Sequence, residues 1–248
     1  MQLVPDHANL RKQLDKTGRT ETLIVGGINV GYEHHAERSP TYQAGADHVV
    51  INNRDCWERL GRPENMTWIS NGVDRSVYRV TRPIEQRRPR VLWTGSDFHC
   101  AQTNIKGWNE VLVPLAEKMK AAGIDYSYHR ANSVVPSACW STDRMVDWYN
   151  TGTIYLCTSS SEGTPNPALE AASCGCVVVS TPVGNMPELI QDGANGRLVA
   201  RDADSVLSAV VECQERYPEM ARAMQNRIAA WHWPARARQY FDLFRRLI

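Results

Sequence analysis

The chain has 248 residues, of which 22% are charged and 42% are hydrophobic, and its formal net charge at pH 7 is +1. This length accommodates one large or two small domains, and the small net charge argues against nucleic acid as a partner. Because the sequence has no apolar run of about 18 residues and no signal-peptide core near its start, we expect neither a spanning helix nor secretion.

The seven cysteines are scattered along the chain, and no pair of them has the spacing of a zinc site. Cys174 and Cys176 are the one close pair, and they lack the two-residue spacer that is typical of redox-active cysteines. A disulfide framework is unusual in a chain of this length. We therefore expect reduced and mostly buried thiols, a cytoplasmic location and no bound metal.

Short apolar segments alternate with amphipathic segments over the first 78 residues. The stretch 79–90 contains two prolines and five arginines and is interpreted as a linker. The periodicities before it predict helices at 8–18, 39–44 and 53–60 and strands at 22–25, 48–51 and 67–69.

A second and longer series begins at residue 91. The alternation of short strands with helices indicates parallel sheets that are covered on both faces. We therefore predict an α/β fold with a first domain at 1–78, shorter than the second, and a complete Rossmann-like domain at 91–230. The predicted strands are 91–94, 125–129, 154–157, 177–180 and 197–200, and the predicted helices are 107–122, one near 145–149, one after Pro167, 187–191 and two late ones around Met224 and Phe244.

The most informative stretch is EGTPNPALE, which runs from Glu162 to Glu170. Its first half reads as a turn, and Pro167 suits an early position of a helix. The unpaired amide groups at such a helix start form a site for phosphate. A carboxylate on each side can accept hydroxyl protons from a sugar, so the stretch fits a nucleotide sugar.

Six separate stretches of the chain resemble the family 4 glycosyltransferases, which are retaining enzymes with the two-Rossmann-domain GT-B architecture. The resemblance extends from about residue 20 to the end, where the segment 231–248 is similar to the helix that crosses back to the first domain. The matching stretches are EGTPNPALE (162–170, the E-x7-E motif), ISNGVD (69–74), VLWTG (91–95), KG (106–107), VGNMPELI (183–190) and NGRLV (195–199).

The resemblance implies a role for each residue of the site. Lys106 and backbone amides hold the donor diphosphate, Glu170 binds the ribose hydroxyls, and Glu162 binds the transferred sugar and stabilises charge on its ring. The family needs no metal and no cofactor, and we assign no protein nucleophile. The implied donor-binding residues are Gly95, Lys106, Gly163, Thr164, Pro165, Asn166 and Glu170, and the implied catalytic residue is Glu162.

The chain departs from the family pattern in two places. Ser96 stands where members usually carry an arginine, so Arg130 or another arginine is a candidate replacement. Three or four strands that normally begin the first domain are also missing, which would leave an exposed sheet edge. We therefore expect a homodimer or a partner chain.

The last helix combines arginines with aromatic residues. Arg245, Arg246, Phe241 and Phe244 are compatible both with packing on the first domain and with contact to an anionic membrane surface. These two alternatives remain open at this point.

The resemblance implies a retaining transferase that uses a nucleotide sugar, with UDP as the first expected carrier and GDP as the second. The acceptor is expected to be a glycan, a lipid-linked molecule or a small molecule. Two alternatives come from other classes of protein. One is a nucleotide-sugar-binding module that requires a partner chain for catalysis, and the other is a sugar-nucleotide epimerase.

Overall fold

The computed structural model describes residue 16 and residues 25–28, 46–96, 103–131 and 140–248. Lys16, which is helical, is the one described residue of the predicted helix 8–18. The predicted helix at 39–44 lies outside the described residues.

The described part of the first sheet has three parallel strands in the order β1-β2-β3, namely β1 (Val25–Ile28), β2 (His48–Ile51) and β3 (Met66–Trp68). Helix α1 (Arg54–Arg59) follows β2, and the side chain of Asn53 caps it by accepting a hydrogen bond from the Cys56 amide at 2.9 Å. The strand β1 begins where the predicted strand 22–25 ends, and residues 22–24 lie outside the described ranges. Gly26 and Gly27, which the predicted strand does not include, also pair with β2.

The second sheet has five parallel strands in the order β5-β4-β6-β7-β8. Numbered along the chain, this is the order 2-1-3-4-5 of a doubly wound sheet, whose strand order reverses between β4 and β6. The strands β6 and β7 are buried along their whole length, as their uninterrupted apolar sequences predict. The five strands are β4 (Val91–Ser96), β5 (Tyr126–Ala131), β6 (Ile154–Cys157), β7 (Val177–Ser180) and β8 (Gly196–Leu198).

Helices cover both faces of the second sheet. One face packs on α3, α4 and α7, and the other packs on α2, α6 and the start of α7. A π-helical turn (Trp108–Leu112) precedes α2. Pro114, in the first turn of α2, has no amide hydrogen to donate to the turn before it. The helices are α2 (Val113–Ala121), α3 (Thr142–Tyr149), α4 (Asn166–Ser173), α5 (Met186–Leu189), α6 (Ala203–Glu215), α7 (Tyr217–Ile228) and α8 (Trp233–Leu247).

Helix α6 was not predicted, although its sequence carries two signals for it. The side chain of Asp202 accepts a hydrogen bond from the Ser205 amide at 2.8 Å and caps the helix. Val206, Val210 and Cys213 are buried at helical spacing against the second sheet.

Helix α8 returns the chain to the first sheet. Tyr240, Leu243 and Leu247 pack against Val50 and Ile69. The backbone of the segment before α8 also pairs with the loop after β3, through a bond from the Val73 amide to the Trp231 carbonyl at 2.9 Å. The two sheets are thus joined twice, once by the segment 79–90 and once by this return. Within the described ranges, no helix combines the length and the apolar character that crossing a membrane requires.

Candidate active site

The predicted site residues lie at the carboxyl ends of β4 and β6, where the strand order of the second sheet reverses. In an open α/β sheet this switch point leaves a crevice in which ligands bind. Gly95 lies near the carboxyl end of β4. Residues 158–165 follow β6 and lead into α4. The topology therefore brings the two predicted halves of the site to the same edge.

Lys106 is held beside the end of β6 by the loop that precedes it. The Thr158 hydroxyl donates to the Lys106 carbonyl at 2.8 Å, and the Ser160 amide donates to the Ile105 carbonyl at 2.8 Å. Gly107 has a φ of +75°, and a Cβ there would lie 2.6 Å from the Thr158 carbonyl oxygen. Only glycine allows this close and left-handed turn. Gly107 therefore fixes the backbone conformation that places Lys106 beside the end of β6.

Lys106 and Glu162 form an ion pair between the lysine Nζ and the carboxylate Oε1. The Ser159 hydroxyl donates to the same oxygen at 2.6 Å. The two charged side chains are only 21% and 13% exposed, so their attraction is weakly screened by solvent. The structure thus brings together the residue predicted for the diphosphate and the one predicted for the sugar.

The turn between Glu162 and α4 is largely buried and is tied to the rest of the chain through Thr164. The Thr164 hydroxyl accepts hydrogen bonds from the Asn185 side-chain amide and from the Asn71 amide, the latter at 3.3 Å. Gly184 has a φ of +54°, and a Cβ there would lie 2.2 Å from the Gly163 carbonyl oxygen. The turn therefore has little room for a different conformation.

Helix α4 begins directly after this turn, and no side chain caps its start. The amides of Gly163, Thr164 and Asn166 can therefore donate hydrogen bonds to an anion at the positive end of the helix dipole. Pro165 has no amide hydrogen, and its contribution is to turn the backbone before the helix.

Three asparagines that sequence reasoning did not assign support this turn. The Asn53 side chain donates to the Glu162 carbonyl at 2.8 Å, and the Asn71 side chain donates to the Asn166 side chain at 3.0 Å. Asn185 is completely buried. Asn71 and Asn185 lie in stretches that match the family, so these stretches were the available signal.

Glu170 contacts a different set of residues, which includes Tyr149 and Tyr78. The Tyr149 hydroxyl donates to Glu170 Oε2 at 2.9 Å. Burial raises the pKa of Glu170 above the ordinary glutamate value, and hydrogen bonds from Tyr149 and Tyr78 act in the opposite direction.

Arg130, a candidate replacement for the arginine absent at Ser96, lies on β5 beside Gly95 in the sheet register. Its guanidinium group stacks over the Trp108 ring at 4.6 Å. This position next to Gly95 keeps Arg130 a candidate for a diphosphate contact.

A cleft of about 280 Å³ separates α1 from the turn after β6. Glu162 and Ser161 line one side and Asp55 and Glu58 the other. Glu188 also lines this cleft, and its pKa is raised first by burial and further by the carboxylates of Glu58 and Asp55. The cleft offers space beside Glu162 for a second substrate.

The described residues include no group of three or more His, Cys, Asp or Glu that could hold a metal ion.

Comparison with known proteins finds a family and relatives that are similar to part of the chain. Residues 104–216 match the family model described as Glycosyl transferases group 1. D-inositol 3-phosphate glycosyltransferase 2 of Catenulispora acidiphila is 29% identical over 109 residues, which are 42% of this chain and 26% of that protein. Alpha-maltose-1-phosphate synthase of Mycobacterium tuberculosis is 30% identical over 126 residues, which are 44% of this chain and 32% of that protein. The alignments thus span about a quarter to a third of these relatives.

Solved structures match nearly the whole chain. Sucrose-phosphate synthase of Thermosynechococcus elongatus aligns with a TM-score of 0.66 at 15% identity, over 96% of this chain and 71% of that one. Anabaena HepE in complex with UDP and glucose aligns with a TM-score of 0.66 at 15% identity, over 96% of this chain and 75% of that one. These likenesses show the GT-B fold, and the predicted fold class is confirmed.

Proposed function

We propose that this chain is a retaining, metal-independent glycosyltransferase of family 4 that transfers a sugar from a nucleotide donor to an acceptor hydroxyl. The observation that carries the proposal is the Lys106–Glu162 ion pair at the start of α4, at the switch point of a doubly wound sheet. The matched region 104–216 contains Lys106, Glu162 and Glu170, which supports the same assignment. We expect a UDP-sugar as donor, in line with the UDP in the HepE complex.

In the proposed reaction, the bond between the anomeric carbon and the phosphate oxygen breaks. The acceptor oxygen then bonds to the same face of that carbon, and its proton passes to a phosphate oxygen. Negative charge grows on the departing diphosphate, where Lys106 and the amides at the start of α4 stabilise it. Glu162 stabilises positive charge on the sugar ring, and Glu170 holds the ribose hydroxyls. The acceptor, a glycan, a lipid-linked molecule or a small molecule, would occupy the cleft beside Glu162.

The same donor site would also serve an alternative function, that of a nucleotide-sugar-binding module that needs a partner chain for catalysis. Such a module would bind the donor but would neither hydrolyse nor transfer it alone. An epimerase, the other alternative, would interconvert sugar nucleotides without an acceptor.

A thermal-shift screen of UDP-, GDP- and ADP-sugars tests the donor site. A ligand that binds the native state alone raises the melting temperature, and a concentration of about 100 times Kd adds roughly 2.7 kcal/mol of stability. We expect UDP-sugars to give the largest shift and the Glu170→Gln variant to lose most of it. If no nucleotide sugar raised the melting temperature, the proposal would be wrong.

We also propose that the chain assembles as a homodimer or with a partner chain. A parallel sheet with unpaired outer strands favours association, and β1 and β3 are the outer strands of the described first sheet. Gel filtration at micromolar concentration is expected to give about 56 kDa, which is twice the 28.0 kDa of one chain. A compact monomer at that concentration would count against the assembly.

We propose further that the protein is cytoplasmic and that α8 contacts an anionic membrane surface. Trp233, Phe241 and Phe244 are 44%, 55% and 40% exposed and lie along one side of this helix. The Arg245 guanidinium lies 5.7 Å from the centre of the Phe241 ring, beside this apolar stripe. Apolar side chains flanked by arginines are typical of helices that lie in a membrane interface.

Flotation with vesicles of neutral and anionic lipid tests this contact. Each arginine near an anionic surface contributes about 1 kcal/mol, so the double variant Arg245→Glu and Arg246→Glu is expected to bind at least tenfold more weakly. The matched control is Arg82→Glu with Arg88→Glu, which has the same charge change at exposed positions of the linker. Equal binding by both double variants, or no binding by the parent, would contradict the contact.

A further inference from the structure

Two tyrosines, the buried Tyr149 and the half-buried Tyr78, lie around the carboxylate of Glu170. Tyr149, at the end of α3, donates to Oε2 at 2.9 Å. Tyr78, in the segment between the two sheets, lies near enough to the carboxylate to lower its pKa. The rings of the two tyrosines meet edge to face, with their centres 6.3 Å apart. Helix α4 therefore presents Glu170 to two donors that come from separate parts of the chain.

Both tyrosines are held rigidly in place. Tyr149 is completely buried, and a buried phenol needs a hydrogen-bond partner. The backbone of Tyr78 is fixed at two points, since its carbonyl accepts a bond from the Ser173 hydroxyl and its amide donates to the Asp74 carbonyl at 2.8 Å. Ser173 lies one turn after Glu170 on α4. The same helix therefore contacts the backbone carbonyl of Tyr78 through Ser173 and lies beside its side chain through Glu170.

The phenols stay protonated over the whole range in which the protein would work. Burial raises the pKa of Tyr78 to about 12, and it raises the pKa of Tyr149 well above the ordinary tyrosine value. Both groups therefore remain able to donate a hydrogen bond to the carboxylate.

We propose that Tyr149 and Tyr78 are positioning residues that clamp the Glu170 carboxylate in the orientation that binds a vicinal diol of the nucleotide. A carboxylate offers roughly four acceptor positions. The Tyr149 hydroxyl takes one of them and Tyr78 lies beside a second, which leaves two for the adjacent hydroxyls of a ribose. The inference rests on the proposed nucleotide binding and adds two residues to the site that the family resemblance did not name.

The clamp also favours the ionised form of Glu170 against the effect of burial. Burial favours the neutral acid, and the hydrogen bonds from Tyr149 and Tyr78 favour the ionised form. The other titratable groups around this cluster are Tyr155 on β6, Cys174 after α4 and Asp74 beside Tyr78. Tyr155 and Cys174 are themselves buried with raised pKa values, so both are neutral, and Arg87 faces Cys174.

The test compares Tyr149→Phe with Tyr155→Phe. Both phenols are buried in one aromatic cluster with ring centres 6.0 Å apart, but the Tyr155 hydroxyl points to the Thr94 carbonyl at 3.4 Å. The carboxyl signal of Glu170 is followed by ¹³C NMR during a pH titration of the unliganded protein, and Glu170→Gln identifies the signal by removing it.

Loss of the Tyr149 hydrogen bond makes the ionised form less favourable, so the titration midpoint of Glu170 moves to higher pH. We expect an upward shift of about one pH unit in Tyr149→Phe, the size expected for one hydrogen bond to a charged group. We expect a smaller upward shift in Tyr78→Phe and none in Tyr155→Phe. Midpoints equal to that of the parent in both Tyr149→Phe and Tyr78→Phe would overturn the clamp.

Calorimetry with UDP gives a second readout. Tyr149→Phe is expected to bind UDP about tenfold more weakly than Tyr155→Phe at the same pH. The NMR titration needs no ligand, so it decides the clamp even if the parent binds no nucleotide, an outcome that would contradict the proposed function instead.

Discussion

Replacement of Glu170 by glutamine is expected to weaken nucleotide binding by about tenfold to a hundredfold. The proposed ribose contacts are hydrogen bonds to a charged acceptor, which contribute about 1.5–3 kcal/mol, and each 1.4 kcal/mol is a tenfold change in Kd. Glutamine retains the shape of the side chain and one acceptor oxygen for Tyr149, so the fold should persist. Isothermal calorimetry with the nucleotide measures the change.

The same variant is expected to lose a pH dependence that the parent has. In the proposed site the nucleotide binds the ionised form of Glu170, and burial raises the pKa of this group. The affinity of the parent for a nucleotide sugar should therefore fall as the pH is lowered through that raised pKa, whereas the affinity of Glu170→Gln should stay low and flat. The control is Glu117→Gln, at an exposed position on α2. Equal affinities of Glu170→Gln and the control would contradict the assignment.

Replacement of Glu162 by glutamine is expected to lower kcat by about a hundredfold or more and to leave nucleotide affinity unchanged or raised. Loss of one group that stabilises charge in the transition state costs about 10²–10³ in kcat. Affinity should not fall, because Lys106 would no longer share its charge between the Glu162 carboxylate and the diphosphate. Steady-state kinetics of donor consumption and calorimetry with UDP measure the two quantities.

The Lys106→Met variant provides the opposite pattern. It removes the cation proposed to hold the diphosphate, so it is expected to weaken UDP binding by tenfold or more, the effect of one charge-assisted hydrogen bond.

A kcat of Glu162→Gln equal to that of the parent, in a preparation that transfers sugar, would show that Glu162 is not catalytic.

The second sheet could be predicted from the sequence because its strands are buried on both faces. Residues 154–157 and 177–180 are continuous apolar runs, and the structure gives them as β6 and β7 without a change of bounds. The predicted strand 22–25 ended too early because Gly26 and Gly27 have poor strand propensity, and parallel pairing with β2 overrides that preference. Helix α6 was missed although its cap at Asp202 is present in the sequence.

The site was predictable in its residues but not in their mutual contacts. Glu162, Glu170 and Lys106 could be proposed from the resemblance. The bond from Asn53 to the Glu162 carbonyl joins residues 109 positions apart, and no local pattern reports such a contact. The same is true of Tyr78, since Glu170 lies on the far side of the linker and of three strands.

The contacts across the two sheets also explain why the turn before α4 is well defined. Asn71 reaches Thr164 and Asn166 from the loop after β3. Arg54 on α1 lies 4.0 Å from Glu188 on the other side of the cleft. The first sheet therefore supports the proposed donor site directly, and does so with the part of the first domain that the structure describes.

The most direct test of the account is a crystal structure of the chain with the nucleotide sugar that raises its melting temperature most. We predict that the diphosphate will lie within hydrogen-bond distance of Lys106 Nζ and of the amides of Gly163 and Thr164, with the ribose hydroxyls on Glu170. A nucleotide bound elsewhere, such as in the cleft of about 470 Å³ that Thr181 and Arg201 line beyond β7 and β8, would contradict it.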